Sequence, residues 1–204
     1  MKTVIGFLIV LLSSPMLNSN EISGYDVGDY ASDFKMKNVD GRMVSMADYK
    51  EAQGFIISFT CNTCPYSVMY EKRIIDLDKK YASKGYPVIA INPNDPSQKP
   101  GDSFAKMAER AREKNYTFPY LVDETQEVTK RFGATNTPHM YILKKTNNKY
   151  KVVYIGTIDN NPKAAEKASV HYIDDAMEAL LSGKKIEVNK TKAIGCTIKW
   201  KASS

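Results

Sequence analysis

Two nearly continuous apolar runs, Phe55–Thr60 and Pro87–Asn92, punctuate this chain. Each is too short for a helix and follows Gly or begins with Pro, so each predicts a strand buried on both faces. Between them, Val68, Ile74, Ile75, Leu77 and Tyr81 form a rough apolar face from Pro65 to Ser83, with Gly85 beyond. That spacing predicts a helix with proline in its first turn, where the missing N–H would be unpaired anyway. Upstream, Asp33–Asn38 and Arg42–Ser45 alternate around Val39-Asp40-Gly41, a hairpin with Asp-Gly at its tip. Ser45 is placed to cap a short helical turn through Tyr49. Downstream, a loop at Asn94–Gly101 leads to a helix capped by Asp102 or Ser103 and running to about Lys114. Phe118–Val122 predicts a short strand and Glu124–Phe132 a short helix ended by Gly133. His139–Lys144 and Tyr150–Gly156 alternate as a hairpin around Asn147-Asn148. A last helix starts at Pro162 or Ala168, ends at Leu181 and is closed by Gly183. Helices alternating with buried strands, finished by a hairpin, imply an α/β sandwich on a mixed sheet.

Two end segments stand outside this pattern. Lys2 followed by the apolar run Val4–Leu12, then Ser13, Ser14 and Pro15, reads as a secretory signal peptide, residues 1–20, cleaved near Ser19 to Ile22. Export is therefore expected, to the periplasm if the source is Gram-negative. At the other end, Lys184, Lys185, Lys190, Lys192, Lys199 and Lys201 face a single acid, Glu187, across residues 184–204. This tail carries almost all of the formal charge of +6, which leaves the body, residues 25–183, near neutral. A basic tail is ordinarily a solvated segment, and it is a candidate for contact with a membrane surface. No interleaving of aromatic and basic residues points to nucleic acid. Trp200, alone in this polar stretch, is expected to anchor the tail on the body.

The chemistry concentrates in cysteine. Two of the three cysteines form Cys61-Asn62-Thr63-Cys64, between the first buried strand and the helix at Pro65. Two thiols at that spacing can close a small disulfide ring, and unpaired helix N–H groups there stabilise a thiolate. A single C-x-x-C is a weak zinc signal, because structural zinc wants four ligands and His139 and His171 are not spaced as a finger. No metal and no cofactor are expected. The second element is Thr137-Pro138, just before a strand and 77 residues beyond Cys61.

Strand, C-x-x-C, helix and Thr-Pro together resemble the thioredoxin-like superfamily. The hairpin at 33–46 and the long inserted helix–strand segment from Asn92 to Phe118 resemble its redoxin branch, the alkyl hydroperoxide reductase/thiol-specific antioxidant-like proteins. Ala90–Asp95, Phe118–Glu124 and Ile194–Trp200 carry the likeness further. The resemblance implies a thioredoxin-like fold and a Cys61–Cys64 disulfide. Cys61 would be the exposed nucleophile, Cys64 the buried resolving thiol, and the proline cis against the sulfurs. The backbone of Thr137 would pair with an extended substrate peptide. The implied partners are protein thiols or disulfides and an electron donor that the residues do not name. The implied activity is a thiol-disulfide oxidoreductase, as a reductase.

Departures from the family's patterns narrow this. Thioredoxin's tryptophan before the first cysteine is Thr60 here, its buried aspartate six residues earlier is Phe55, and the glutamate of cytochrome-maturation reductases is Ser67. The peroxide motif P-x-x-x-T-x-x-C fits neither Cys61 nor Cys64, which disfavours a conventional peroxidase. Three alternatives stay open: a copper-handling module on this fold, a thiol peroxidase with an atypical peroxide site, or a non-catalytic binding domain with a structural C-x-x-C disulfide. His139 is either a strand-start histidine with a hydrogen-bond partner or a cation that lowers the Cys61 pKa. Cys196 is either a tail thiol of no catalytic role, or a transient partner of Cys61 or of a thiol in another molecule. Asp123, Glu124 and Glu127 are expected as solvated acids at a helix start, and Met36, Met43 and Met46 as packing.

Overall fold

The computed structural model describes residues 24–202, so the expected signal peptide lies outside the described residues. Among the described residues there are ten strands and four α-helices. They are β1 (Tyr30–Ala31), β2 (Lys35–Asn38), β3 (Met43–Ser45), β4 (Gly54–Phe59), α1 (Pro65–Tyr81), β5 (Val88–Asn92), α2 (Phe104–Glu113), β6 (Tyr120–Val122), α3 (Glu127–Phe132), β7 (Asn136–Thr137), β8 (His139–Thr146), β9 (Lys149–Gly156), α4 (Tyr172–Leu181) and β10 (Cys196–Thr197). Seven of the strands and the four helices follow the predicted order, and the two-residue strands β1, β7 and β10 were not predicted.

Eight strands form one mixed sheet in the order β1-β9-β8-β4-β5-β6-β2-β3, and β10 pairs with β7 in a second, two-stranded sheet. β4, β5 and β6 run parallel, as strands joined by helices must, and hairpins supply the antiparallel neighbours. β4 lies centrally and is buried along its whole length. Phe55, Ile57 and Phe59 point to one face, with Phe132 of α3 and Met46 of the short turn after β3. Ile56 points to the other, with Tyr70 and Ile74 of α1, Met107 of α2 and Met177 of α4. This is the expected α/β layering, with three helices on one face of the sheet and α3 on the other.

Local signals explain most boundaries. Ser45 and Asp48 form a reciprocal capping box. Asn147 and Asn148, both at positive φ, turn the β8–β9 hairpin. Three expectations fail. Val68 is exposed, and α1 buries Ser67, Glu71 and Asp78 beside the expected Ile74, Leu77 and Tyr81, because Arg110 and the Tyr116 hydroxyl donate to Glu71, and the Val88 N–H and Thr117 hydroxyl donate to Asp78. Asp123 is not solvated: its buried carboxylate accepts from the Thr129 N–H (2.7 Å) and hydroxyl (2.6 Å). The tail does not leave the body. Ile155 N–H donates to Asn189 O and Thr191 N–H to Ile155 O, Cys196 and Thr197 pair with β7, and Lys199 N–H donates to Asn94 Oδ1. Its anchor is Ile198, 4% exposed in the core, while Trp200 is 38% exposed.

Candidate active site

β4 delivers Cys61 to the end of the sheet, and Cys64 is the capping residue from which α1 departs. The turn between them is tied down by a residue from another element. Asp102, expected only as a cap for α2, makes no side-chain cap there; Ser103 takes the capping position. The buried Asp102 carboxylate accepts instead from the Asn62 N–H (2.8 Å), the Thr63 N–H (3.1 Å) and the Thr63 hydroxyl (2.8 Å). Its fourth donor is Asn94 Nδ2 at 2.8 Å, whose own Oδ1 accepts from the tail at Lys199 N. The Asn62 amide completes the clamp, donating to Gly101 O and accepting from the Tyr120 hydroxyl. This clamp is missed from the sequence alone; the signal that could have found it is the polar Asn-Thr pair itself, because in a buried turn such groups must find partners.

Thr137 is the second wall of the site. Its peptide bond to Pro138 is cis, as the resemblance implies. The Thr137 hydroxyl lies 3.2 Å from Cys61 Sγ, and its carbonyl oxygen lies 3.0 Å from Cys64 Sγ. The structure thus brings Cys61, Cys64, Thr137 and Pro138 together.

It also brings Cys196. β10 pairs antiparallel with β7, with Cys196 opposite Thr137, and the Cys196 N–H donates to Cys64 Sγ at 3.3 Å. Thr137 was expected to pair with a bound peptide; its edge is taken by the chain's own tail. Gly195 permits this approach. A Cβ there would sit 2.2 Å from Thr137 O and 2.6 Å from its carbonyl carbon, so no other residue fits without movement. Periodicity could not reveal this, because the docked tail is held through its backbone.

Exposure does not separate the motif cysteines: both are 4% exposed, and Cys196 is half-buried. The expectation of an exposed Cys61 is therefore overturned; the tail and the Asp102 clamp roof the turn. Their acidities do differ. Hydrogen bonding with Cys64, burial and the negative Asp102 push the Cys61 thiol up. Cys64 is pulled down by hydrogen bonds from Cys61, from Cys196 and from the Ser67 N–H. The Thr137 carbonyl opposes this, since it accepts only from a protonated Cys64. Burial opposes it as well; the shared Cys61–Cys64 hydrogen bond is the largest influence on both thiols, lowering Cys64 and raising Cys61.

His139 sits two residues past Thr137 and takes no part in this cluster. Its Nδ1 accepts from the Thr135 N–H, and its ring packs on Tyr141 at 4.9 Å. Burial pushes its pKa down to about 4, so it is neutral near pH 7 and offers Cys61 no positive charge. The reading of His139 as a pKa-lowering cation is set aside. Among the described residues, no group of three or more His, Cys, Asp or Glu side chains is arranged to hold a metal ion.

The chain is similar to known proteins in sequence and in fold. A model of the AhpC/TSA family matches residues 27–155, more than half of the chain. The protein named thiol-disulfide oxidoreductase ResA, from Geobacillus thermodenitrificans (strain NG80-2), is 26% identical over 164 residues, 78% of this chain and 87% of its own length. The crystal structure of an uncharacterized conserved protein from Geobacillus kaustophilus matches with a TM-score of 0.80 at 37% identity, covering 95% of this chain and 100% of that one. The exposed lipoprotein thioredoxin Etrx1 from Streptococcus pneumoniae strain TIGR4 shares the fold alone, with a TM-score of 0.54 at 19% identity, over 74% of this chain and 99% of its own. By its family match and by the fold that presents its paired thiols, the chain belongs to the AhpC/TSA family of thioredoxin-like redox enzymes.

Proposed function

We propose that this chain is an exported thiol-disulfide oxidoreductase that reduces protein disulfides by cycling Cys61 and Cys64 between dithiol and disulfide. The observation that carries this reading is the packing of both sulfurs against one residue, Thr137, at the start of α1. The name of the ResA relative supports the reaction class. The leader pattern of Lys2 and Val4–Leu12 supports export.

The chemistry is a two-step exchange. A motif thiolate attacks a partner disulfide, one partner sulfur leaves as thiolate, and a mixed disulfide forms. The second motif thiol loses its proton and attacks the first, which releases the other partner sulfur and leaves a Cys61–Cys64 disulfide. The acidity order favours Cys64 as the first attacker and Cys61 as the second. Two features favour a reducing couple. Burial of both sulfurs favours the neutral disulfide over a charged dithiol, and Asp102 adds negative charge beside Cys61. The hydrogen bonds to Cys64 work the other way, and the balance sets the potential. An electron donor then returns the pair to the dithiol.

The test is turnover of a protein disulfide such as that of insulin under a small-thiol reductant. The wild-type chain should accelerate it, and Cys61→Ser and Cys64→Ser should each lose roughly a thousandfold or more, as expected for groups acting as one unit. Equal rates for wild type and both variants would sink the proposal.

A further inference from the structure

We propose that Cys196 is a third redox-active thiol, which exchanges with the Cys61–Cys64 disulfide to give a Cys64–Cys196 disulfide. The inference rests on the dithiol reading above and extends it to a residue that reading does not use. Three observations carry it. The Cys196 backbone lies opposite Thr137, the residue that both motif sulfurs touch, and its N–H donates directly to Cys64 Sγ at 3.3 Å. Gly195, which only a residue without a Cβ can fill, presses the tail onto the Thr137–Pro138 peptide and so fixes the next residue over the dithiol. Cys196 alone of the three is not fully buried, so it is the sulfur best placed to meet an outside thiol.

The step needs no outside oxidant. Cys196 gives its proton to solvent, and its thiolate attacks Cys64 Sγ of the Cys61–Cys64 disulfide. The Cys61–Cys64 bond breaks as the Cys64–Cys196 bond forms, and Cys61 leaves as thiolate and takes up a proton. One disulfide replaces another, and no electrons enter or leave. Two consequences follow. The tail becomes covalently closed over the Thr137 edge. The disulfide moves from two buried sulfurs to one buried and one partly exposed, where a partner thiolate can attack Cys196 and release Cys64. Burial raises the Cys196 thiol above its ordinary range, so the exchange quickens as pH rises.

The experiment maps disulfides after oxidation with diamide, acid quenching, alkylation and proteolysis. In Cys61→Ser at about 10 μM, the intramolecular Cys64–Cys196 link should exceed links between chains by about a hundredfold, since a neighbouring thiol has an effective concentration on the order of millimolar. Wild type, quenched at graded times, should show the Cys64–Cys196 link beside Cys61–Cys64, which guards against misfolding of the variant. If oxidised wild-type Cys64 is joined only to Cys61, or if Cys61→Ser keeps free thiols or pairs only between chains, the exchange is overturned while the dithiol reading stands. If wild type forms no Cys61–Cys64 link at all, the dithiol reading itself falls.

Discussion

Two irregular segments meet at the Cys64 sulfur, and opposite means hold them. The turn Cys61–Cys64 is held by side chains: Asp102 takes three of its donors, and Asn62 bonds to Gly101 and Tyr120. The tail Gly195–Lys199 is held mainly by backbone: β10 against β7, Ile198 N–H to Thr135 O, Asp95 N–H to Lys199 O, with one apolar plug at Ile198. Asn94 joins the two, donating to Asp102 and accepting from Lys199. The first mode needs particular residues and so marks the sequence. The second works through the tail's own main-chain groups, which bond to a strand edge and to the Asn136, Gln126 and Asn94 side chains, with a missing Cβ and one buried side chain, and it leaves almost no pattern in the tail.

The largest expected effect is on the side-chain clamp. Asp102→Ala strands four donors, and at about 1–3 kcal/mol for each buried group left unsatisfied it should cost about 4 kcal/mol in denaturant unfolding. The same change removes like charge beside Cys61, so thiolate absorbance should show the Cys61 pKa falling. A variant as stable as wild type would mean that the turn does not depend on its clamp.

On the tail, Ile198→Ala should cost about 3 kcal/mol, within the usual range for a buried aliphatic truncation, and Trp200→Ala under about 0.5 kcal/mol. The reverse order would restore Trp200 as the anchor.

Between the two segments and beneath the tail lies His139, beside a hollow lined by Asn136, Lys190 and Thr191. The unfolded imidazole takes its proton near 6.5, whereas the folded one resists until about 4. Its contribution is complete above pH 6.5 and is lost as pH falls toward 4, by about 3 kcal/mol at 1.36 kcal/mol per unit. Unfolding curves of His139→Phe should lack that component; curves parallel to wild type would show that the ring titrates normally.

Below the Asp102, Ile198 and His139 effects in size, and the sharpest probe of the backbone mode, is Gly195→Ala. Overpacking of this kind costs about 2 kcal/mol. Because the added carbon meets backbone at Thr137, the tail must shift, and Cys64 should alkylate faster. An unchanged alkylation rate would mean that the tail does not cover the dithiol.

The order of strands and helices was legible because apolar runs and periodic faces report burial directly. The dithiol and Thr137-Pro138 were legible because few residue types can do their work. Asp102 and Asp123 were misread for one physical reason. A carboxylate before a helix is equally good as a solvated cap or as a buried acceptor, and only the fold brings up the donors that decide. Cys196 was visible as an odd thiol, yet its neighbour, Cys64 rather than Cys61, follows from pairing across 59 residues between Thr137 and Cys196, which no local pattern encodes.

The central claim is that Cys61 and Cys64 form a reducing couple, and its most direct test is the midpoint potential of that couple, read by mass mapping across a series of thiol-disulfide buffers. A value near thioredoxin's, about −270 mV, is predicted. A value near that of strong dithiol oxidants, about −120 mV, would contradict the direction of electron flow, and a pair that never oxidises would contradict the couple itself.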